Sequence, residues 1–293
     1  MEGKKERFIP YLFLMPAVMV LFCIVMYPFL SSLFVSFHSW YLANPLEPRF
    51  AGLRNYSSLL TDPSIYTAFK LAFVFLGITI GAQMAIGIGL ALWLNSPYLK
   101  WKKVFRSIFI IPMMIAPAVA ATLWRIMFVG QYGILTYVAS LFGLGNIGWI
   151  DNPSMAMYSL CIVAIWQWTP FVMLIILAGL QSIGKELLEA AQVDGATDRK
   201  ILHYITFPLL RPYIVIAFIM RIIFGFRAFE VFRIITRGGP GRATEPIMLT
   251  LYLKGFQYLQ IGQASALSYL MLLVVIVPIM IFASKLFPTI TKE

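Results

Sequence analysis

Residues 71–94 read LAFVFLGITIGAQMAIGIGLALWL and hold no charged side chain. A helix needs about 20 apolar residues to cross the hydrocarbon core of a bilayer. Comparable runs recur within 8–37, 107–128, 156–180 and 264–284. In lipid each backbone polar group must be satisfied inside its own segment, so such spans are helices. The expected fold class is an all-α polytopic membrane protein. Composition agrees: of 293 residues, 60% are hydrophobic and 12% charged, against about 25% charged in a soluble domain. The first run follows Lys4, Lys5 and Arg7 as a signal peptide would, yet it is too long and lacks a small-residue cleavage site.

One further segment, 212–232, is apolar but interrupted by Arg221, Arg227 and Glu230. With it the chain has six transmembrane helices and both termini on one side. Basic residues decide. The segments 1–7, 95–106, 181–211 and 285–293 hold most of the lysine and arginine; Lys100, Lys102, Lys103 and Arg106 crowd one of them. Short cytoplasmic loops carry that excess, so both termini are expected in the cytoplasm. The organisation read from this is a tail 1–7, a first helix 8–37, an outer loop 38–70, a core 71–284 and a tail 285–293. Pro16 and Pro28 are expected to kink the first helix, and Pro112 and Pro117 lie in the third. Gly77 and Gly81 form a G-x-x-x-G pair, which permits close helix approach.

The net charge of +11 is accounted for by this topology, and nucleic-acid binding is not expected. Cys23 and Cys161 lie in apolar runs and supply neither a disulfide framework nor a metal set. His38 and His203 fall on opposite sides, so no membrane-enzyme centre is expected. A secondary carrier would show internal symmetry and midplane carboxylates; Glu230 is the one mid-span acid.

Residues 179–185 match G-x-x-x-x-G-K, a phosphate loop without its hydroxyl, since Glu186 stands in that place. A phosphate loop also needs a strand before it and a helix N-terminus facing the phosphates. Here an apolar helix precedes it and a carboxylate would repel phosphate, so the chain is not expected to hydrolyse ATP. The stretch reads instead as two short helices. Leu187, Leu188 and Ala191 share one face, and Glu186 and Glu189 sit near the N-terminal end. Gly195 suits a left-handed stop. Thr197 or Asp198 can cap a second helix with Ile201, Leu202 and Ile205 on one face, ended by Pro208.

The stretch ELLEAAQVDGATDRKILHYITFPLLRP resembles the signature loop of the membrane subunits of binding-protein-dependent ABC importers. Glu189, Ala190, Ala191, Asp194, Gly195, Ala196, Ile205, Pro208 and Pro212 stand where that pattern wants them; Leu202 replaces a Phe and Phe207 a Leu. LFLMPAVMVLFCIVMYPFLSSLFVSF, FAGLRNYSSLLTDP, WQWTPFVMLIILAGLQSI and FEVFRIITRGGPGRATEPIMLTLYLKGF resemble the carbohydrate-importer branch. The resemblance implies the type I importer permease fold in a bacterial cytoplasmic membrane. It implies a second homologous permease subunit forming a heterodimer, two ATPase subunits that hold the ATP and magnesium, and an extracytoplasmic solute-binding protein delivering a carbohydrate. No cofactor is expected on this chain. The loop 184–208, with Glu186 and Glu189 among its docking residues, is implied to couple to an ATPase. Gly238, Gly239 and Pro240 are implied to lie at an outer gate or binding-protein platform.

For the substrate pathway the candidates are Arg221, Phe226, Arg227, Phe229 and Glu230, with Trp166 and Trp168 on the fourth span. Intramembrane charges face protein or a wet cavity. Arg227 and Glu230 are spaced to pair with each other, whereas Arg221 has no local partner. Sugar contact and helix packing are both open for the aromatics. The arginines also raise an anionic cargo, a uronate oligosaccharide or a glycerophosphate compound, beside a neutral sugar.

Overall fold

The computed structural model describes residues 2–44, 48–130, 133–143 and 147–286. They are mainly helical and fall into two compact units, Met1–Ile65 with Thr250–Pro278, and Tyr66–Leu249 with Ile279–Glu293.

In the first unit α1 (Glu2–Leu21) passes through a π-helical turn, Phe22–Met26, into α2 (Tyr27–Ser36). Proline has no N–H and its ring collides with the carbonyl four residues back. Widening the turn before Pro28 removes that collision: the Tyr27 N–H bonds to Phe22 O instead. Pro16 lies inside α1 without a break. Residues Phe13–Ser36 are apolar enough to cross a membrane; Phe13 to Ser31 are exposed, and Ser36 at the end is buried. A two-stranded antiparallel ribbon follows, β1 (His38–Ser39) with β2 (Arg49–Phe50), pairing His38 with Phe50. Helix α3 (Arg54–Thr61) locks it, because the Asn55 amide donates to Ser36 O at 2.8 Å and His38 O at 2.9 Å.

The second unit is built on α4 (Pro63–Asn95), α8 (Pro153–Ser182) and α11 (Phe207–Phe226). The apolar run 71–94 thus lies inside a longer helix. Ala91, Leu94, Val172, Ile176, Leu180, Leu210 and Ala217 form the shared core. Close approach occurs at Gly87, where a Cβ would lie 2.8 Å from Val172, and at Gly179, where it would lie 2.6 Å from the Tyr213 ring. Gly77 and Gly81 have nothing within 4 Å of such a Cβ. The G-x-x-x-G spacing permits approach but does not specify a neighbour, and the described residues of this chain offer none.

The third apolar run is not a straight helix. It is divided into α5 (Lys102–Met114) and α6 (Pro117–Phe128), bent by 91°. The residue before a proline is pushed out of helical conformation. Ala116 adopts ψ 133° and Ile115 ψ 131°, which turns the chain at Pro117. Between α6 and α8 lies α7 (Ile134–Leu141). Among the described residues three helices are long and apolar enough to cross a membrane, four with the bent pair taken as one, and a further helix has an apolar stretch at Ile261–Val277.

Candidate functional site

The elbow between α8 and α11 begins with α9 (Lys185–Val193), with Glu186 in its first turn. Gly195 takes φ +81°. The Ala196 N–H bonds to Ala191 O at 2.9 Å and the Gly195 N–H to Gln192 O at 3.0 Å. This pair of bonds is the Schellman closure, which needs a left-handed residue just past the helix. The run Ala191 to Ala196 is therefore a stop built into the backbone, with Asp194 as the last turn residue. Ile201 is buried, Leu188, Ala191, Ala196, Leu202 and Ile205 are half-buried, and Glu186, Glu189, Ala190, Asp194 and Gly195 are exposed. Leu187 also stays about half exposed, at 48%.

The second half of the elbow differs from the expected separate helix. α10 (Asp198–Ile201) runs through a π-helical turn, Leu202–Thr206, straight into α11. Pro208 does not end it. As at Pro28, the turn widens first, and the Phe207 N–H bonds to Leu202 O. Thr197 takes the cap position in extended conformation, without a side-chain bond.

The phosphate-loop match is absent as a structure. Gly179 is buried inside α8 against Tyr213 and Leu210, and Lys185 opens α9.

A cavity of about 250 Å³ opens in the second unit, walled by Phe75, Gln167, Trp168, Arg221, Phe224, Arg227 and Glu230 among others. Arg221 is only 3% exposed. Its Nε–H donates to Gln83 Oε1 at 2.8 Å. Gln83 is in turn fixed by donating from Nε2 to Ala164 O at 2.9 Å. The guanidinium lies 5.2 Å from the Trp168 ring centroid, within cation–π range, and Nη1 is buried without a hydrogen-bond partner among the described residues. Trp168 stacks on Phe224 at 6.4 Å. Gln167 donates to Ile115 O at 3.1 Å, capping the carbonyl freed by the break between α5 and α6.

Of the candidates named from sequence, the structure brings together Trp168, Arg221, Arg227 and Glu230. Arg227 and Glu230 do not pair: the ion pair found among the described residues is Arg242–Glu245. The i, i+3 argument assumed a continuous helix, but α11 stops at Phe226 and Arg227 caps it. Phe226 is buried and meets Phe73 edge-on at 5.5 Å. Phe229 is half-buried outside the cavity wall. Trp166 packs on Trp124 at 5.5 Å and borders a separate, apolar cavity with Thr169 and Pro170. Gln83, Gln167 and Phe224 went unnoticed in the sequence. An amide within an uncharged run was the available signal for both glutamines.

Gly238, Gly239 and Pro240 belong to a tightly tied turn after a third π-helical segment, Val231–Thr236. Gly238 has φ +89° and the Gly239–Pro240 bond is cis. Thr244 closes the turn: its N–H bonds to Gly238 O at 3.1 Å and its hydroxyl to Gly239 O at 2.7 Å. Arg125 from α6 donates to Ile234 O at 3.0 Å, anchoring the base of the turn.

Comparison with known proteins gives the family. Residues 83–292 match the family described as binding-protein-dependent transport system inner membrane component. The trehalose/maltose transport system permease protein MalF of Thermococcus litoralis is 32% identical over 275 residues, covering 93% of this chain and 91% of that one. The sulfoquinovosyl glycerol transport system permease protein SmoG of Agrobacterium fabrum is 34% identical over 268 residues, 91% of this chain and 86% of that one. A chain of a bacterial alginate ABC transporter, crystallised with an alginate pentasaccharide-bound periplasmic protein, superposes with TM-score 0.83 at 23% identity, covering 100% of this chain and 98% of that one. That likeness establishes the type I ABC permease fold. With more than half its length matched to one family and relatives above 30% identity along nearly all of it, the chain belongs to the inner membrane components of binding-protein-dependent transport systems.

Proposed function

We propose that this chain forms one half of the pathway of an ATP-driven carbohydrate importer, as a non-enzymatic membrane subunit. The observation that carries the cargo class is the cavity at Arg221. Buried amide and guanidinium groups beside the Trp168 and Phe224 rings offer hydrogen bonds and a flat apolar surface together, which is what a sugar ring presents in return. The trehalose/maltose and arabinooligosaccharide permeases among its relatives support the same class.

In this reading a second, homologous permease completes a heterodimer, two ATPase subunits hold ATP and magnesium, and an external solute-binding protein delivers the sugar. The unburied apolar face of 13–36 meets lipid or that second permease. The chain crosses a bacterial inner membrane six times with both termini in the cytoplasm, on the strength of its basic-residue distribution. The tail 285–293 lies outside the described residues except for Lys285 and Leu286, which end α12 (Ile261–Leu286). Glu186 and Glu189 with the Schellman-closed elbow dock in a cleft of one ATPase. Nucleotide closure moves the elbow, and because its second half is continuous with α11, the movement reaches the helix that carries Arg221. Ligand must bind the outward and inward states differently for this to drive transport. Gly238, Gly239 and Pro240 form part of the outer gate or the binding-protein platform.

The test is ATP-dependent uptake of labelled oligosaccharide into vesicles holding the assembled complex and its binding protein. Uptake that follows a sodium or proton gradient and ignores ATP would favour a secondary carrier instead.

A further inference from the structure

We infer that the cavity at Arg221 is an anion subsite, so that the saccharide it accepts carries an acid group such as a uronate carboxylate. This deepens the carbohydrate reading above and rests on it.

A buried cation is tolerated where a counter-charge and hydrogen bonds replace the water it has lost. Arg221 has only part of that replacement. Its Nε–H has Gln83, and the Trp168 face lies against it, but both groups are neutral. Among the described residues Nη1 has no partner, and no carboxylate lies within ion-pairing distance. Gln83 cannot swing away to serve another role. It is fully buried and held to Ala164 O, so its Oε1 stays aimed at the guanidinium. The arginine is thereby oriented in advance while its charge is left unbalanced.

The rest of the wall points the same way. Arg227 and Glu230 also border the cavity and do not pair with each other, which leaves two cations against one acid. Arginine binds carboxylate through parallel N–H donors in its plane. A bare inorganic ion would not use the aromatic floor formed by Trp168 and Phe224, whereas a sugar ring attached to the acid group would. At about 250 Å³ the cavity is smaller than the ~300–1,000 Å³ of typical ligand pockets, which fits one ring of a longer chain at a time.

The test titrates the purified transporter, without its binding protein, with glucuronate, glucose and acetate, following tryptophan fluorescence. Glucuronate should bind saturably and at least about tenfold tighter than glucose or acetate, a difference within reach of one charge-assisted contact. Arg221→Gln should weaken glucuronate at least about tenfold and glucose by much less, so that most of the discrimination between the two is lost. Glu230→Gln leaves the arginine in place and should tighten glucuronate, which a purely structural Arg221 would not produce. Equal affinities for glucuronate and glucose, moving together in both variants, overturn the anion subsite and leave the carbohydrate reading standing. Equal binding of acetate and glucuronate overturns the carbohydrate reading of this cavity, and with it the inference. No binding of any of the three overturns both.

Discussion

Arg221 on α11 and Gln83 on α4 are joined by a buried hydrogen bond of 2.8 Å, and Gln83 is joined to α8 through Ala164 O. One amide therefore fastens the three central helices of the second unit around a charged group. Replacing it removes more than a contact, because the guanidinium stays buried with fewer partners. Gln83→Leu should cost about 2–3 kcal/mol, the range for losing a buried hydrogen bond to a charged group. Gln83→Glu supplies a counter-charge and should be tolerated far better. Thermal denaturation of the purified protein in detergent checks this; an unchanged midpoint for Gln83→Leu would contradict it.

The elbow depends on a left-handed residue at 195. A Cβ there meets nothing within 4 Å, so backbone strain is the only penalty. A residue with a Cβ pays roughly 1–2 kcal/mol in that conformation, and Asn or Asp less than a β-branched residue. Transport activity should fall in the order glycine, Gly195→Asn, Gly195→Val, with the amount of protein in the membrane unchanged. Equal activity for the Asn and Val variants would show that the closure does not matter to coupling.

Glu189 is exposed on α9, so its substitution should change stability by no more than about 0.5 kcal/mol. Glu189→Lys should nonetheless uncouple the assembled complex. Reversing a charge at a docked interface costs about 2 kcal/mol or more, so sugar uptake should drop at least about tenfold while ATP hydrolysis continues. Measuring both rates on the same vesicles decides the matter, and a parallel fall of the two would point to lost assembly.

The glycines separate by position. Gly179→Ala drives a methyl into the Tyr213 ring and Leu210 and should cost about 1–3 kcal/mol as an overpacked contact. Gly81→Ala has open space around it within this chain and should leave its folding unaffected. Comparative melting of the two variants gives the answer. If Gly81→Ala destabilises the isolated chain as much as Gly179→Ala, the helix packing described above is wrong.

What the sequence revealed and concealed follows from the range of the forces involved. The Schellman stop at Gly195 is local: a short helix, a glycine and two backbone bonds within six residues, so it could be read directly. The sharp turn at Pro117 was only half legible, since a proline announces a break but the 91° angle depends on what α5 and α6 pack against. Gln83 was hidden because its partner lies 138 residues away and an amide among apolar residues has no local pattern. The G-x-x-x-G pair at Gly77 and Gly81 states only what a helix permits, while Gly87 and Gly179 have the neighbours found within the described residues. The same limit applies to Arg227 and Glu230, whose spacing is a pairing signal only on an unbroken helix. Among the aromatics, Phe224 rather than Phe226 reaches the cavity, a matter of helix rotation that an apolar run does not record.

The central claim is that an ATPase subunit grips the elbow around Ala190. A cysteine placed by Ala190→Cys, in a chain whose Cys23 and Cys161 are replaced by serine and alanine, can be crosslinked in the assembled complex. The account predicts a crosslink to the ATPase subunit whose yield changes when ATP binds. A cysteine that never links to the ATPase, and that reacts instead with a membrane-impermeant thiol reagent added outside intact cells, would contradict it.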